Sequence, residues 1–374
     1  MTLAICSIHG SLKGQSEPAS RSCARLLCIV SHRLQRIVVT RKRARIGDVI
    51  RLTGLSRATI DRVLNARPGV KSSTKSKVEA ALKELGYAPD VLTSRVAAQP
   101  AGVEVFVPVG PNPFFKVLRD GLEAAIDLFK YTNLTIRFRE FDPYDPDTLS
   151  GQLRRVKSDI AAVIAVGVEA PEVEAALEAL QRRGIKVLTF VSDTPRAKRT
   201  AYIGQDNLAA GRTAGRLMLG ALGDRTGTLA VMLSNFQFRH FLDRQAGFGQ
   251  ICAALRPGQA VTTTPPFGQD PTRSATIMED LAQAHPDLAG IYIAGGSQPG
   301  GLAAFAQSFD PAPVIIGHEV TPFSREALHS GLFRFVISHD TVDMGRKAIR
   351  AVLADELPAF IPSPINIHVA ENLP

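Results

Sequence analysis

The chain has 374 residues, 45% of them hydrophobic, which is enough apolar content over enough length for more than one packed core. Its four cysteines, Cys6, Cys23, Cys28 and Cys252, form no Cys-x-x-Cys pair, which excludes a disulfide scaffold and fits a reducing cytoplasm. The formal net charge of +9 is unevenly spread: residues 1–99 hold 18 Lys and Arg against 6 Asp and Glu, net +12, whereas residues 100–374 hold 26 against 29, net −3. A basic module at one end of a mildly acidic body is the footprint expected of phosphate contact, because neutralising phosphates releases counterions.

Residues 1–43 read as a basic extension without regular structure. Arg21, Arg25, Arg33 and Arg36 surround a short apolar LLCIV run, too brief to cross a membrane and without the order of a signal peptide. Either this is a disordered basic arm or translation starts further downstream.

From residue 44 to 89 the spacing turns helical. Ile46, Val49 and Ile50 fall at i, i+3 and i+4, giving the first segment one apolar face. Gly54 supplies a left-handed stop, and Ser56 is a good N-cap for a second helix starting near Arg57. Ile60, Val63 and Leu64 form the buried stripe of that helix, leaving Arg57, Ala58, Asp61 and Arg62 free to face a groove. A third helix carries Val78, Ala81, Leu82 and Leu85 on one side and ends at Gly86. The result is a three-helix domain with a helix-turn-helix at its front.

The run GDVIRLTGLSRATIDRVLNARPGVKSSTKSKVEAALKELGYAPD resembles the headpiece of the LacI/GalR family of bacterial transcription regulators, where a DVA..AGVS..TVSRVLN run precedes a helix ending in LGY.P. The resemblance implies double-stranded operator DNA, of pseudo-palindromic sequence, as partner. It places Arg57 and Ala58 against base edges in the major groove and Ser56, Thr59, Arg62 and Asn65 at backbone or base contacts. Two positions depart from the pattern. Lys71 stands where the family has a capping Ser, with Ser72 or Ser73 expected to serve instead, and Asp61 replaces a Ser in the recognition helix. Residues 90–101 correspond to the family's hinge linker, with Val96 where a Leu wedges into the minor groove; it is either a weaker wedge or a plain linker residue.

From residue 102 to 374 strand-like and helix-like stretches alternate. VEVFVPV (103–109), IAAVIAV (160–166), KVLTFV (186–191), TLAVML (228–233), GIYIA (290–294) and VIIG (314–317) are short, continuous and rich in β-branched residues, as strands buried on both faces of a parallel sheet are. Helical patterns such as 171–183 and 208–222 lie between them. This predicts an α/β body, and its length predicts two sheets.

The body is similar to the type I periplasmic-binding-protein fold that the family uses as a sensor. PNPFF (111–115), VSDTP (191–195), YIGQDNLAAGRTAG (202–215), the Arg-x-x-Gly-Phe at 244–248 and IIGHEVTPFSREALHSG (315–331) occur in the family's order. The resemblance implies an N-subdomain of about 102–205 and 338–358, a C-subdomain of about 206–337 and 359–374, and a homodimer. By position it puts Phe114 and Phe115 along a ligand cleft, Asp193 as acceptor and Arg244 as donor to ligand hydroxyls, with Glu319 and His339 where the family commonly has Asp and Gln. Carboxylates, an Arg and aromatic rings suit a polyol, so a sugar, sugar acid or cyclitol is expected as effector. At 295–298 the chain reads Gly-Gly-Ser-Gln where many sugar-binding members have Asn or Asp; that change opens the pocket or hands the role to Ser297 or Gln298.

No catalytic arrangement stands out. GGSQPGG lacks the features of a phosphate-binding loop, there is no Gly-x-Ser-x-Gly elbow, and the eight histidines show no metal spacing. The sequence therefore predicts a cytoplasmic, ligand-controlled DNA-binding repressor that is not an enzyme and needs no cofactor or metal. A solute-binding protein for a sugar is the alternative, and the exposed arginines of the second helix argue against it.

Overall fold

The structure, a computed structural model, describes residues 46–64, 69–84, 101–128, 134–268, 270–296 and 299–374. The 1–43 extension, Asn65, most of the 90–101 hinge with Val96, and Ser297 and Gln298 lie outside the described residues. Contacts divide the chain into two units, Met1–Asp90 and Val91–Pro374.

In the first unit the helices are α1 (Ile46–Thr53), α2 (Arg57–Leu64) and α3 (Ser72–Glu84). Gly54 ends α1 at φ +66°, and its N–H donates to the Ile50 carbonyl at 2.8 Å. The Thr53 hydroxyl donates to the Val49 carbonyl at 2.7 Å and accepts from the Leu55 N–H at 3.3 Å, tightening the turn. Ser56 then caps α2, its Oγ accepting from the Thr59 N–H at 3.1 Å. Val49, Ile60, Val78 and Ala81 are buried together, so all three helices contribute to one core. At α3 the expectation changes. The Lys71 carbonyl accepts from the N–H groups of Thr74 and Lys75, which makes Lys71 the capping position and Ser72 the first helical residue. A lysine side chain has no oxygen to offer there.

The second unit contains two six-stranded sheets. In the first the order is β11-β5-β4-β3-β1-β2, with β1 (Ala101–Pro108), β2 (Leu134–Phe141), β3 (Ile160–Val166), β4 (Lys186–Phe190), β5 (Ala201–Gly204) and β11 (Phe360–Pro362), all parallel. The second runs β12-β10-β9-β8-β6-β7, with β6 (Thr228–Met232), β7 (Val261–Thr263), β8 (Leu288–Ile293), β9 (Val314–His318), β10 (Phe335–Ser338) and β12 (Asn366–His368). There only β12 is antiparallel to its neighbour. The six apolar runs of the sequence form β1, β3, β4, β6, β8 and β9, and all six lie inside the sheets.

Five helices set the cleft geometry: α4 (Pro113–Leu128) after β1, α7 (Asn207–Leu222) after β5, α8 (Arg239–Leu255) after β6, α11 (Pro322–His329) after β9 and α12 (Thr341–Leu353) after β10. Backbones of α7 and α8 touch. A Cβ added at Gly211 would lie 2.0 Å from the Arg244 carbonyl oxygen, and one at Gly247 would lie 2.1 Å from that of Leu208. Only glycine permits this approach, and it fixes where α8 delivers its side chains.

The chain passes between the sheets three times, near 205, near 339 and at 363–365. The last crossing falls after β11 rather than at residue 359, because Phe360–Pro362 pairs with β5 of the first sheet. Gln205, fully buried, donates through Nε2 to the Ser338 carbonyl at 2.8 Å and the Pro364 carbonyl at 2.9 Å. One amide thus ties all three crossings together.

A lysine at the capping position of α3 gives a stability test. Lys71→Ser supplies a side-chain acceptor and removes a positive charge from a helix N-terminus, both favourable, for a gain of about 1 kcal/mol. Amide hydrogen exchange in residues 73–80 of the full chain should slow roughly fivefold, since 1.4 kcal/mol is about tenfold; unchanged exchange would show that another group already satisfies those N–H groups.

Candidate functional site

The C-terminal ends of strands from both sheets meet at one cleft, as parallel α/β sheets favour at the points where strand order reverses. Pro108 at the end of β1, Val166 of β3 and Val191 after β4 line it from one side, and Ser234 after β6, Gly295 and Gly296 after β8 and Glu319 after β9 line it from the other. In this arrangement the cleft is nearly closed, with a free volume of about 20 Å³. The two walls are also bonded across its mouth. The Glu169 N–H donates to the Gln237 carbonyl at 2.8 Å, Asn235 Nδ2 to the Pro143 carbonyl at 3.4 Å, and Arg239 lies 3.7 Å from the Glu169 carboxylate.

The aromatic wall starts at α4. Asn112 Oδ1 accepts from the Phe114 N–H at 3.0 Å, which turns the first helical residues into the cleft: Phe114 is buried and Phe115 half-buried. Phe238 and Phe241 come from the start of α8, with rings 6.1 Å apart and edge to face. His240 lies 4.1 Å from the Phe241 ring. All of these border the cleft.

At the polar end sits Arg244, 1% exposed. Its Nε donates to Asn207 Oδ1 at 2.9 Å and its Nη1 to the Ala294 carbonyl at 2.9 Å. Its Nη2 lies 3.6 Å from Glu319 Oε1 and has no hydrogen-bond partner. Glu319 accepts twice from His339, at Oε1 from the ring Nδ1 at 2.7 Å and at Oε2 from the backbone N–H at 3.2 Å. His318 Nε2 also approaches Oε1, at 3.6 Å, while its Nδ1 is held by the Tyr292 hydroxyl at 3.0 Å. Three nitrogen-bearing side chains therefore converge on one carboxylate oxygen.

Burial pushes the Glu319 carboxyl upward, but the His339 ring and the Arg244 guanidinium outweigh it and hold the group below its ordinary range. Burial, reinforced by Arg244 and His339, keeps His240 well below the ordinary imidazole value, and the same causes act on His318. The site is therefore an ionised carboxylate facing a guanidinium, with two neutral imidazoles beside them.

His318, Glu319 and His339 place ligating atoms within 4.8 Å of one another. Two histidines and a carboxylate are a familiar metal-binding set. Here, however, the Arg244 guanidinium stands 3.6 Å from the same Glu319 oxygen, and that positive charge opposes a divalent ion. The donor set reads as a buried hydrogen-bond cluster.

Of the residues singled out in the sequence, the structure brings together Phe114, Phe115, Arg244, Glu319 and His339. Asp193 does not join them. Arg199 grips its carboxylate through Nε at 2.5 Å and Nη2 at 2.6 Å, while Thr189 Oγ1 and the Thr194 N–H add bonds at 2.7 and 2.8 Å. It lines a separate open cavity with Arg199, Tyr202 and Arg239. Three of these four bonds fall on Oδ1, so Asp193 anchors its own loop and lies among the residues of that other cavity, apart from Phe114 and Glu319. In the headpiece, Ser56, Arg57, Ala58 and Arg62 are exposed, and Thr59 is half-buried with its Oγ1 2.9 Å from Ser56 Oγ.

Sequence reasoning missed His240, His318, Asn207 and the backbone of Val191. His240 is four residues before Arg244 on α8, so the two share a helix face, and that spacing was a readable signal. Val191 (φ +65°) and Glu319 (φ +71°) are the non-glycine residues with left-handed backbone among those described, and both line the cleft. At Val191 the Ser192 N–H bonds back to the Phe190 carbonyl at 2.8 Å, closing a tight three-residue turn. Such conformations cost of order 1–3 kcal/mol each and gather at functional sites.

Comparison with known proteins agrees with this geometry. Residues 101–354 match the periplasmic binding protein domain family, and residues 45–90 match the family described as bacterial regulatory proteins, lacI family. Catabolite control protein A of Priestia megaterium is 37% identical over 87 residues, 23% of this chain and 26% of that protein; the Streptococcus mutans protein of that name is 33% identical over 87 residues, again 23% and 26%. The matched stretch thus spans about a quarter of these curated relatives. Among solved structures, an ABC transporter solute binding protein from Burkholderia graminis, in complex with D-arabinose, is 25% identical with a TM-score of 0.65, covering 74% of this chain and 97% of its own. The glucose-galactose binding protein GanP of Geobacillus stearothermophilus is 18% identical with a TM-score of 0.64, covering 74% and 99%, and shows the fold alone. With a lacI-type headpiece at its start and a periplasmic-binding-protein domain over two thirds of its length, the chain belongs to the LacI/GalR family of regulators.

Proposed function

We propose that the protein is a DNA-binding transcription regulator, a repressor whose hold on its operator is controlled by a small sugar-like effector bound in the cleft. The observation that carries this reading is the pairing, in one chain, of two sites. One is an exposed Arg57-Ala58 face on a helix whose other side buries Ile60; the other is a cleft that buries Arg244 against Glu319. A solute carrier has no use for the first. The families matched are regulatory and binding-protein families, not enzyme families.

On this reading Arg57 reads a base edge, with Ser56, Ala58, Thr59, Arg62 and Asn65 beside it and Val96 at the hinge. A homodimer would present two headpieces to pseudo-palindromic half-sites about 34–36 Å apart. In the cleft, Phe114 and Phe115 stack on the effector, Arg244 Nη2 donates to it, and Glu319 with His339 orients that guanidinium.

Selection of duplexes from random DNA by the purified protein should enrich a pseudo-palindrome, and titration with sugars should release it. Failure to prefer any duplex over bulk DNA at physiological salt would refute the proposal. Arg57→Ala should relax preference at one base position per half-site by about 1–3 kcal/mol. An unchanged operator profile would remove Arg57 from the readout.

Glu319→Gln keeps the shape of the side chain but removes the charge that orients Arg244. Operator affinity should persist while effector response weakens by about tenfold, because a misaligned Arg244 forfeits the charged hydrogen bond it is proposed to make to the effector, about 1.5–3 kcal/mol. Equal loss of both would mean a folding defect instead.

Acid stability gives a fourth check. His240 and His318 have depressed folded-state values, so the unfolded chain takes up protons first as pH falls through about 6.5. Their contribution is complete above that pH and declines below it, by up to about 1.4 kcal/mol per pH unit for each. Glu319, also depressed, begins to count only in the carboxylate range. Melting temperature should therefore drop between pH 7 and 5, and His240→Phe, packed among Phe238 and Phe241, should flatten the slope.

A further inference from the structure

A second cavity lies beside the cleft, and His240 borders both. Its free volume is about 430 Å³, against about 20 Å³ in the cleft, and pockets that hold small ligands run from about 300 to 1,000 Å³. Both halves of the body line it. Arg199 before β5, Tyr202 of β5 and Phe360 of β11 come from the first sheet, and Asp206 before α7 and Arg239 and Asp243 of α8 come from the other half.

One wall is aromatic. Phe360 and Tyr202 are partners across the β11–β5 pair, and their rings stack 5.5 Å apart at 10°. Phe360 is 37% exposed, so the stack leaves apolar ring surface open. The rest of the lining is polar and only partly used. Arg239 Nε donates to Asp243 Oδ1 at 2.7 Å, while its Nη1 stops 3.7 Å from the Glu169 carboxylate. Asp206 Oδ1 caps α7 by accepting from the Ala209 N–H at 2.8 Å. The second carboxylate oxygens of Asp206 and Asp243 have no hydrogen-bond partner among the described residues. Nor has Nδ1 of His240, a residue only 8% exposed.

Charge decides the class of ligand. Two of the three carboxylates are neutralised by arginines, Asp193 by Arg199 and Asp243 by Arg239. The third, Asp206, sits at the N-terminus of α7, where the helix dipole offsets part of its charge. The cavity is therefore close to neutral, and a charged ligand would give up its hydration without gaining a counter-charge. It presents acceptors, a guanidinium donor and an aromatic surface together. Hydroxyl groups both donate and accept, and the C–H face of a sugar ring packs on an aromatic ring.

We propose that this cavity is a second small-molecule site, distinct from the cleft, that takes a neutral carbohydrate ring with its C–H face on Phe360 and its hydroxyls on Asp206, Arg239 and Asp243. Because both halves of the body supply contacts, the occupant ties them together whatever the cleft holds.

The test is a saturation-transfer NMR titration of the full-length protein with D-glucose, D-galactose, D-xylose and D-arabinose, and with the uronates and amino sugars matching the first two. At least one neutral sugar should show a saturable binding event that Phe360→Ala and Asp243→Asn each weaken about tenfold. The matching uronate and amino sugar should bind about tenfold more weakly than their neutral parent, or worse. If sugars bind but neither variant changes their affinity, they sit elsewhere, and this inference fails while the sugar-effector reading of the cleft stands. A charged member that binds as tightly as its parent and responds to the same variants would overturn the class assigned. If no sugar binds, the inference fails outright; the effector reading is decided separately, by release of operator. Phe360→Leu, which keeps apolar packing on Tyr202 but removes the flat ring, takes the place of Phe360→Ala should that variant not fold.

Discussion

The body is organised around the pairing of Arg244 with Glu319. A guanidinium removed from water must have its donors met, and this one reaches in three directions: to Asn207 on α7, to the Ala294 carbonyl at the end of β8, and toward Glu319 after β9. One side chain therefore links three elements, and it adds to the glycines that let α7 approach in fixing the position of α8. Asn207 extends the connection through the Tyr202 hydroxyl to the Val191 carbonyl on the opposite wall. A continuous polar path therefore runs from the first sheet, past the crossings, to the floor of the cleft.

That path explains why strain is tolerated where it is. Val191 and Glu319 hold left-handed backbone at the ends of β4 and β9, and each is pinned by bonds its own sheet supplies: Val191 N–H to the Ile203 carbonyl, Glu319 N–H to the Ile337 carbonyl. A β-branched residue at positive φ is costly. The ordered sheets supply the stabilisation that holds it, and the result is a pair of corners that aim their side chains and carbonyls inward.

Six of the interior strands, β1, β3, β4, β6, β8 and β9, were legible because strands covered on both faces are mostly apolar, whereas the interior β5 and β10, four residues each, were too short to stand out. The edge strands were not. β2 alternates as Leu134, Ile136 and Phe138 against Thr135, Arg137 and Arg139, with one side toward solvent, and β7, β11 and β12 are three residues each, too short for any periodicity. Within the cleft, Phe114, Phe115, Arg244, Glu319 and His339 were legible through family resemblance, while His318, with its role set by Tyr292 from a different strand, depends on a contact between distant positions. Asp193 marks the limit of transfer by position: whether a carboxylate after a strand is free depends on an arginine six residues on, and Arg199 takes it.

Magnitudes decide whether one ligand contact in such a cleft can matter elsewhere in the body. Coupling between distant sites in regulators is typically 1–3 kcal/mol. A hydrogen bond to a charged group contributes about 1.5–3 kcal/mol, the same size. Arg244 Nη2 is a buried donor awaiting such a bond, and the residues it orders connect to Gln205, which ties the three crossings. A rotation of one sheet against the other must lengthen the bonds from Gln205 or move all three crossings together. On the proposed reading, one ligand bond to that donor is therefore of the size that coupling across the three crossings needs.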